Sequence, residues 1–321
     1  MILVRFSGGL GNQLFQFAMY EKLKKEYPDM EVRADLSFYT LEQVHNGFEL
    51  ERVFSVMKKG YLQKATWRDH WTCRRELPVP CGGGIGKVLE TPIAWLNART
   101  RNGAELHHIE RIEEEPYNLR LSAAEKAKRR AECLEKLNNL DTSKHYYVDG
   151  YWQDEAYFPD TFQTVIEMLQ FTQLHHYQEV TKLAQIMQNQ ESVSVHLRGG
   201  DYLNSDYDVL HAEYYRKALE LLQTMTAVEQ VYVFSDDVEK AKALLADIKN
   251  AVYVEDHQGS EDWLDMYLMS QCKHHILANS SFSTWAAYLG NRESSVTIYP
   301  GQYTKQDANL YRKNWVRMEL E

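Results

Sequence analysis

A histidine, an arginine and an aspartate lie within six residues in the segment His196-Leu-Arg-Gly-Gly-Asp-Tyr202. Alternating apolar residues from Val193 to Leu197 predict a strand, so these polar side chains lie at its C-terminal end. Ligands bind at that end in open α/β sheets, and the two glycines let the backbone approach a ligand closely. The residue types suit an anionic ligand such as a nucleoside diphosphate. The alternative is a strand-end turn that carries an exposed ion pair between Arg198 and Asp201.

Three further segments accompany this one along the chain: Ser7–Gln16, Phe234–Asp237 and Leu277–Ser283. In this order, and with the pattern His-x-Arg-x-Gly-Asp-Tyr at residue 196, they resemble the α-1,2-fucosyltransferases of glycosyltransferase family 11. One departure is Gly199, where many members of that family carry a second arginine. The role of that arginine does not transfer to this chain, and another residue could stand in for it.

The resemblance implies an α/β fold of the GT-B type, in which two Rossmann-like β/α domains face a cleft. It implies transfer of L-fucose from GDP-β-L-fucose to the 2-hydroxyl of a terminal galactose, with inversion. Negative charge would then develop on the β-phosphate, so Arg198 is the candidate catalytic residue, with Asp201 orienting it and His196 binding the donor. The alternatives are a non-catalytic glycan- or nucleotide-sugar-binding protein of the same fold, or a fucosyltransferase of different linkage. The presence of Arg198 argues against the non-catalytic alternative.

A glycine turn, Gly8-Gly-Leu-Gly11, separates a predicted strand at 1–6 from a predicted helix at 12–26. It is not the full dinucleotide fingerprint, and no phosphate-loop lysine follows, which weighs against a dehydrogenase or a kinase. A helix N-terminus offers unpaired N–H groups to an anion, so Gly11 and Asn12 are candidate donor contacts. The alternative is that Asn12 only caps the helix.

Three candidate donor contacts, Ser280, Ser281 and Phe282, follow a predicted strand at 275–278 and begin the next helix. Hydroxyl and backbone N–H groups at such a junction suit a phosphate. Helix capping, the alternative, would need only one of the serines.

Asp236 and Asp237 end another predicted strand. Adjacent carboxylates raise the hypothesis of a metal site, but the resembled family is generally metal-independent, which implies neither a metal nor a cofactor. A carboxylate can also accept two hydrogen bonds from guanine, so we assign Asp236 to the donor and Asp237 to capping the following helix.

The sequence predicts an acceptor-side domain over residues 1–160 and a GDP-fucose-binding domain over 161–302. The tail, 303–321, is expected to pack back on the first domain. In the second domain, strands and helices alternate regularly, which predicts a parallel sheet covered on both faces. The strands are at 192–197, 231–234, 251–254, 275–278 and 295–299, and the helices are at 211–226, 238–247, 261–271 and 283–289.

A length of 321 residues and a hydrophobic content of 44% fit a soluble protein of two domains. The formal net charge of −10 argues against nucleic acid as a partner. Four scattered cysteines, no apolar stretch of membrane-spanning length and no signal peptide predict a cytoplasmic protein with reduced thiols. Animal members of the resembled family carry an N-terminal membrane anchor, so the resemblance implies a bacterial form here.

The expected partners are GDP-fucose and a galactose-terminated oligosaccharide or lipid-linked glycan. A lipid-linked acceptor would place the protein at the inner face of the cytoplasmic membrane. The basic, tryptophan-bearing segment from Lys58 to Arg75 could then contact the membrane, although a solvated charged face is the commoner explanation. Asp35, His45 and Asp154 are candidates for a general base, and none is assigned that role.

Overall fold

The computed structural model describes residues 1–41, 45–58, 60–74, 93, 109–114, 123–172, 174–199, 205–255, 257, 259–305 and 314–320. Two compact units divide the chain, residues 1–170 and 171–321, so the division falls after residue 170 rather than after residue 160. Each unit is an α/β structure built on a parallel sheet.

The first unit contains a four-stranded sheet in the order β2-β1-β4-β3, and each neighbouring pair is parallel. Its strands are β1 (Ile2–Arg5), β2 (Val32–Asp35), β3 (Ile109–Glu113) and β4 (His145–Asp149). Its helices are α1 (Leu10–Glu26), α2 (Ser37–Leu41), α3 (Leu50–Val53), α4 (Trp67–Arg74), α5 (Ala123–Asn138) and α6 (Phe162–Met168), with 3₁₀ turns at Ser55–Met57 and Glu155–Tyr157.

Helix α1 is buried along most of its length. The apolar stripe that predicts it, including Leu14, Phe15 and Leu23, is fully buried. Each such side chain contributes about 1.5–3 kcal/mol on burial. This packing fixes α1 to the sheet, and with it the glycine turn at its N-terminus.

The second unit contains a six-stranded parallel sheet in the order β10-β9-β8-β5-β6-β7. Its strands are β5 (Ser192–Leu197), β6 (Gln230–Ser235), β7 (Ala251–Tyr253), β8 (His274–Ile276), β9 (Thr297–Pro300) and β10 (Val316–Met318). Its helices are α7 (Gln178–Gln188), α8 (Ala212–Met225), α9 (Val238–Leu244), α10 (Trp263–Gln271) and α11 (Ser281–Gly290), with 3₁₀ turns at Leu174–His176 and Gly259–Glu261. The predicted alternation of strands and helices is confirmed.

Strand β5 is buried at all six positions. Val193, Val195 and Leu197 share the face that packs in the core formed with α8 and α9. The opposite face carries Ser194 and His196, which are also buried. A strand covered on both faces is held rigidly, which suits a strand that carries functional side chains at its end.

The described part of the tail belongs to the second unit, and its packing on the first domain stays a prediction. Val316–Met318 extends the second sheet as an edge strand beside β9, and the Trp315 ring lies 4.7 Å from the ring of Tyr288 in α11. The edge of β9 offers unpaired backbone groups, and a short strand from the same unit satisfies them.

Three cysteines, Cys73, Cys133 and Cys272, are buried free thiols, and Cys81 lies outside the described residues. Within the described ranges, no helix is both long enough and apolar enough to cross a membrane.

Candidate active site

The second sheet has a topological switch point between β5 and β8. From β5 the chain continues to β6 on one side and returns to β8 on the other. Connections that leave a sheet in opposite directions open a crevice at the carboxyl ends of the two strands, where ligands bind. Arg198 follows β5 at this crevice, and Ser280 follows β8.

Arg198 is held by a carboxylate from the neighbouring strand. Its guanidinium lies 3.2 Å from Oδ2 of Asp236, while Oδ1 of Asp236 accepts a hydrogen bond of 2.7 Å from the backbone N–H of Gly199. The Arg198 side chain remains 26% exposed, so it is oriented yet accessible to a ligand. Asp201, the partner that the sequence predicted, lies outside the described residues. In the described structure, Asp236 therefore contacts Arg198, a contact that the sequence did not predict.

His196 is buried and neutral. Burial, followed by the positive charge of Arg198, lowers the pKa of its imidazole to about 3. Within the described part of the chain, its Nδ1 atom has no hydrogen-bond partner, and its ring centroid lies 5.9 Å from that of Phe282. His196 therefore carries no positive charge at neutral pH.

Ser280 caps helix α11. Its Oγ accepts a hydrogen bond of 3.3 Å from the N–H of Phe282, and its carbonyl oxygen accepts one of 2.9 Å from the Thr284 hydroxyl. The capping interpretation is thus confirmed for Ser280. Ser281 and Phe282 are partly exposed in the first turn of the helix, where ligand contact is sterically open.

Asp237 caps helix α9, as predicted. Its side chain accepts a hydrogen bond of 3.1 Å from the backbone N–H of Lys240. Asp236 and Asp237 thus have separate contacts, one with Arg198 and one with the helix. Over the described ranges, no group of three or more His, Cys, Asp and Glu side chains is placed to hold a metal ion.

Asn279 connects two loops at the carboxyl edge, a role that the sequence did not predict. Its side chain is 1% exposed, and its Nδ2 donates to the carbonyl oxygens of Tyr207 at 2.9 Å and Tyr303 at 2.7 Å. The loop that follows β5 and the loop that follows β9 are thereby tied to the end of β8. The position lies in one of the recognised segments, but no local signal indicates its two partners.

In the first unit, Asn12 does not cap α1. The N-cap is Gly9, and Asn12 is the third helical residue, so the capping interpretation is wrong. Its Oδ1 accepts a hydrogen bond of 2.7 Å from Gln153, which follows β4. Gly8 has a φ of +78°, and a Cβ there would lie 2.5 Å from Nδ2 of Asn12. Glycine is therefore required for Asn12 to approach the turn. Gly11 is buried within the first turn of α1.

An ion pair that the sequence did not predict lies at the same edge of the first sheet. Arg5 at the end of β1 contacts Asp149 at the end of β4, with 2.9 Å between the charged atoms and only 6% of the Asp149 side chain exposed. The pairing of β1 with β4 brings these residues together, although they are far apart in sequence.

The three candidates for a general base have different surroundings. Asp35 is fully buried and accepts hydrogen bonds from the Ser37 N–H at 2.9 Å and the Tyr147 hydroxyl at 3.0 Å. Asp154 caps a 3₁₀ turn, and His45 is exposed beside the glycine turn. The burial of Asp35 makes it unsuitable for contact with an acceptor.

Comparison with known proteins gives one family match and full-length relatives. The sequence profile of glycosyl transferase family 11 matches residues 108–319. An alpha-1,2-colitosyltransferase of Escherichia coli is 27% identical over 99% of both chains. A galactoside alpha-(1,2)-fucosyltransferase 1 of Ateles belzebuth is 29% identical over 37% of this chain and 34% of its own.

The fold is similar to that of a solved structure, the fucosyltransferase NodZ from Bradyrhizobium. The TM-score is 0.51 at 15% sequence identity, and the match covers 89% of this chain and 90% of the other. Together with the two parallel α/β units, this similarity confirms the GT-B-type fold class that the sequence predicts.

Proposed function

Because this chain belongs to glycosyltransferase family 11, we propose that it transfers L-fucose from GDP-β-L-fucose to the 2-hydroxyl of a terminal galactose, with inversion. The observation that carries the proposal is the arrangement of Arg198, Asp236 and Gly199 at the end of β5. It places a fixed, accessible guanidinium at the switch point, where a GT-B-type sheet binds its ligand.

The reaction breaks the bond between fucose C1 and the β-phosphate oxygen and forms a bond from C1 to the galactose oxygen on the opposite face. The bonding electron pair leaves with the phosphate, and the acceptor hydroxyl loses its proton to a base or to water. Arg198 meets the charge that develops on the phosphate, and its planar fork can hold two phosphate oxygens. Asp236 keeps the guanidinium in place, so little reorganisation is needed during the reaction.

The proposal includes further donor contacts in the second unit. The neutral ring of His196 and the ring of Phe282 would contact the nucleoside, and Ser281 would contact the diphosphate. That Gly11 and Asn12 contact the donor stays a prediction from the sequence. Charge is supplied by side chains in this mechanism, so we propose that it requires no metal and no cofactor.

A second candidate donor is GDP-colitose. The full-length relative at 27% identity is named an alpha-1,2-colitosyltransferase, and colitose differs from L-fucose by the absence of the 3-hydroxyl. The α-1,2 linkage would be the same with either sugar.

The decisive experiment supplies the purified protein with GDP-fucose or GDP-colitose and a lactose-type acceptor. We expect GDP release that depends on the acceptor, and a product whose mass equals acceptor plus fucose minus one water. Turnover with GDP-colitose but not with GDP-fucose would identify GDP-colitose as the donor. Binding of GDP without turnover, tested over several β-1,3- and β-1,4-galactosides, would favour the non-catalytic alternative.

The acceptor could be lipid-linked, which raises the question of membrane contact. Trp67, at the start of α4, is 63% exposed, and the guanidinium of Arg68 lies 5.3 Å from its ring centroid. Interfacial tryptophan next to a cation is typical of peripheral membrane contact, but Lys64 of the same segment is paired with Glu51. Salt-sensitive binding to anionic vesicles that is lost in Trp67→Ala would support this contact, and the absence of such binding would eliminate it.

A further inference from the structure

The side chain of Lys240 lies against Gly199. Lys240 is the third residue of α9, and a Cβ atom added to Gly199 would lie 3.7 Å from its Cδ atom. Because Gly199 directly follows Arg198, the methylene chain of Lys240 runs beside the carboxyl end of β5. The space that a side chain at position 199 would need is thus bordered by Lys240.

Helix stability does not explain a lysine at this position. The first turn of a helix carries a partial positive charge, which favours acidic side chains and disfavours cations. In the described part of the chain, the Lys240 ammonium group makes no hydrogen bond or ion pair. Lys242 of the same helix, in contrast, pairs with Glu239 at 2.9 Å and Glu255 at 2.7 Å. Lys240 is therefore a half-buried cation that remains available to a ligand.

The described charges at the carboxyl ends of β5 and β6 also favour a second cation there. Arg198 is offset by Asp236, and Asp237 adds another carboxylate, so these three side chains leave an excess of negative charge. The terminal phosphate of a departing nucleoside diphosphate carries about −1.5 to −2 charges near neutral pH. Of these three described side chains, Arg198 is the cation that would hold this anion, beside two carboxylates. With Lys240 included, the four side chains balance.

We propose that Lys240 binds the β-phosphate of the donor together with Arg198. This inference rests on the proposed function, since it assumes a nucleoside diphosphate at the end of β5. The methylene stem of Lys240 lies against Gly199, and its ammonium group would supply the positive charge that Asp236 offsets on Arg198.

The test compares three variants: Lys240→Met, Lys240→Arg and the control Lys242→Met. Methionine keeps the apolar stem against Gly199 and removes the charge, while Lys242 is a cation of the same helix with partners of its own. Affinities for GDP and GMP are measured by calorimetry, with the thermal midpoint as a check on folding. GMP lacks the β-phosphate and therefore isolates its contribution.

We expect Lys240→Met to weaken GDP binding about 10-fold, the effect of losing one charged hydrogen bond, and to leave GMP binding unchanged. Lys240→Arg should retain most of the affinity, and Lys242→Met should bind GDP like wild type. Equal GDP affinity in Lys240→Met and wild type would overturn the assignment, as would an equal loss for GDP and GMP. If wild type bound no GDP, the proposed donor itself would be refuted, and Lys240 would lose its role with it.

Discussion

At the scale of residues, the register between β5 and β6 explains why Arg198 meets Asp236. Leu197 of β5 pairs with Ser235 of β6, so the residues that follow them, Arg198 and Asp236, also lie opposite each other. Both strands could be predicted from their apolar alternation, and both polar segments were recognised. Their pairing could not be predicted, because a register depends on contacts between residues that are distant in sequence. Proximity in the sequence alone indicates Asp201 as the partner of Arg198.

Replacing Arg198 tests the mechanism directly. Arg198→Ala should reduce turnover about 10²- to 10³-fold, by analogy with the removal of an oxyanion-hole donor, and should weaken GDP binding less. Arg198→Lys should recover little, because an ammonium group cannot reproduce the planar fork. Turnover, GDP affinity and thermal midpoint are measured on the same preparations.

Arg216→Ala is the matched control, since Arg216 of α8 forms an exposed ion pair with Asp247, which lies after α9. It should behave like wild type in all three measurements. A folded Arg198→Ala variant with wild-type turnover would remove Arg198 from the mechanism, and a variant that unfolds would point to a structural ion pair.

The contacts of Asp236 and Asp237 lead to a prediction about metals. Because one carboxylate holds Arg198 and the other caps α9, we expect full turnover in the presence of EDTA. The measurement is the initial rate before and after exhaustive chelation. Loss of activity that magnesium or manganese restores would return both residues to the status of candidate ligands.

At the scale of elements, the second unit was predicted more completely than the first. Strand β5 and helices α8 and α11 have clear periodicity, and their predicted bounds agree with the structure to within about two residues. Strands β3 and β4 are not predicted by the sequence, because Ile109–Glu113 alternates apolar with charged residues only weakly and the centre of His145–Asp149, Tyr-Tyr-Val, does not alternate. Strand β10 has three residues, and only its pairing with β9 identifies it as a strand.

The loops at the carboxyl edge depend on Asn279. Asn279→Ala removes the two hydrogen bonds that this buried amide donates to the carbonyl oxygens of Tyr207 and Tyr303, which should lower the free energy of unfolding by about 1–3 kcal/mol. Urea unfolding measures the loss. The exposed Asn291, just after α11, provides the control, and Asn291→Ala should change stability by less than about 0.5 kcal/mol. A similar, small change in both variants would mean that the loops do not depend on Asn279.

At the scale of the whole molecule, two buried histidines couple stability to pH. Burial lowers the pKa values of His196 and His275 to about 3, whereas an unfolded histidine titrates near 6.5. As the pH falls below 6.5, the unfolded chain takes up protons that the folded chain does not. The free energy of unfolding therefore falls as the pH falls. Each histidine should therefore lower the free energy of unfolding by about 2 kcal/mol between pH 8 and pH 5.

Replacing His275 isolates its share of this effect. The Nδ1 atom of His275 lies 2.9 Å from the Ser194 hydroxyl, and both side chains are buried. Between pH 8 and pH 5, the free energy of unfolding of His275→Gln should fall by about 2 kcal/mol less than that of wild type. Urea unfolding at both pH values measures the difference. An identical pH dependence in the two proteins would show that His275 is not held neutral in the folded state.

The strand order of the first sheet also has a consequence for biosynthesis. Strand β1 is central, but its neighbour β4 is made much later, since Arg5 and Asp149 are 144 residues apart. At about 5–20 residues per second, a ribosome needs roughly 7–30 s to complete this interval. During that time one edge of Ile2–Val4, an apolar segment that is fully buried in the finished protein, has no partner. This segment is therefore exposed to aggregation until β4 is made, and the yield of the protein in cells should depend on chaperones that bind extended apolar segments during translation.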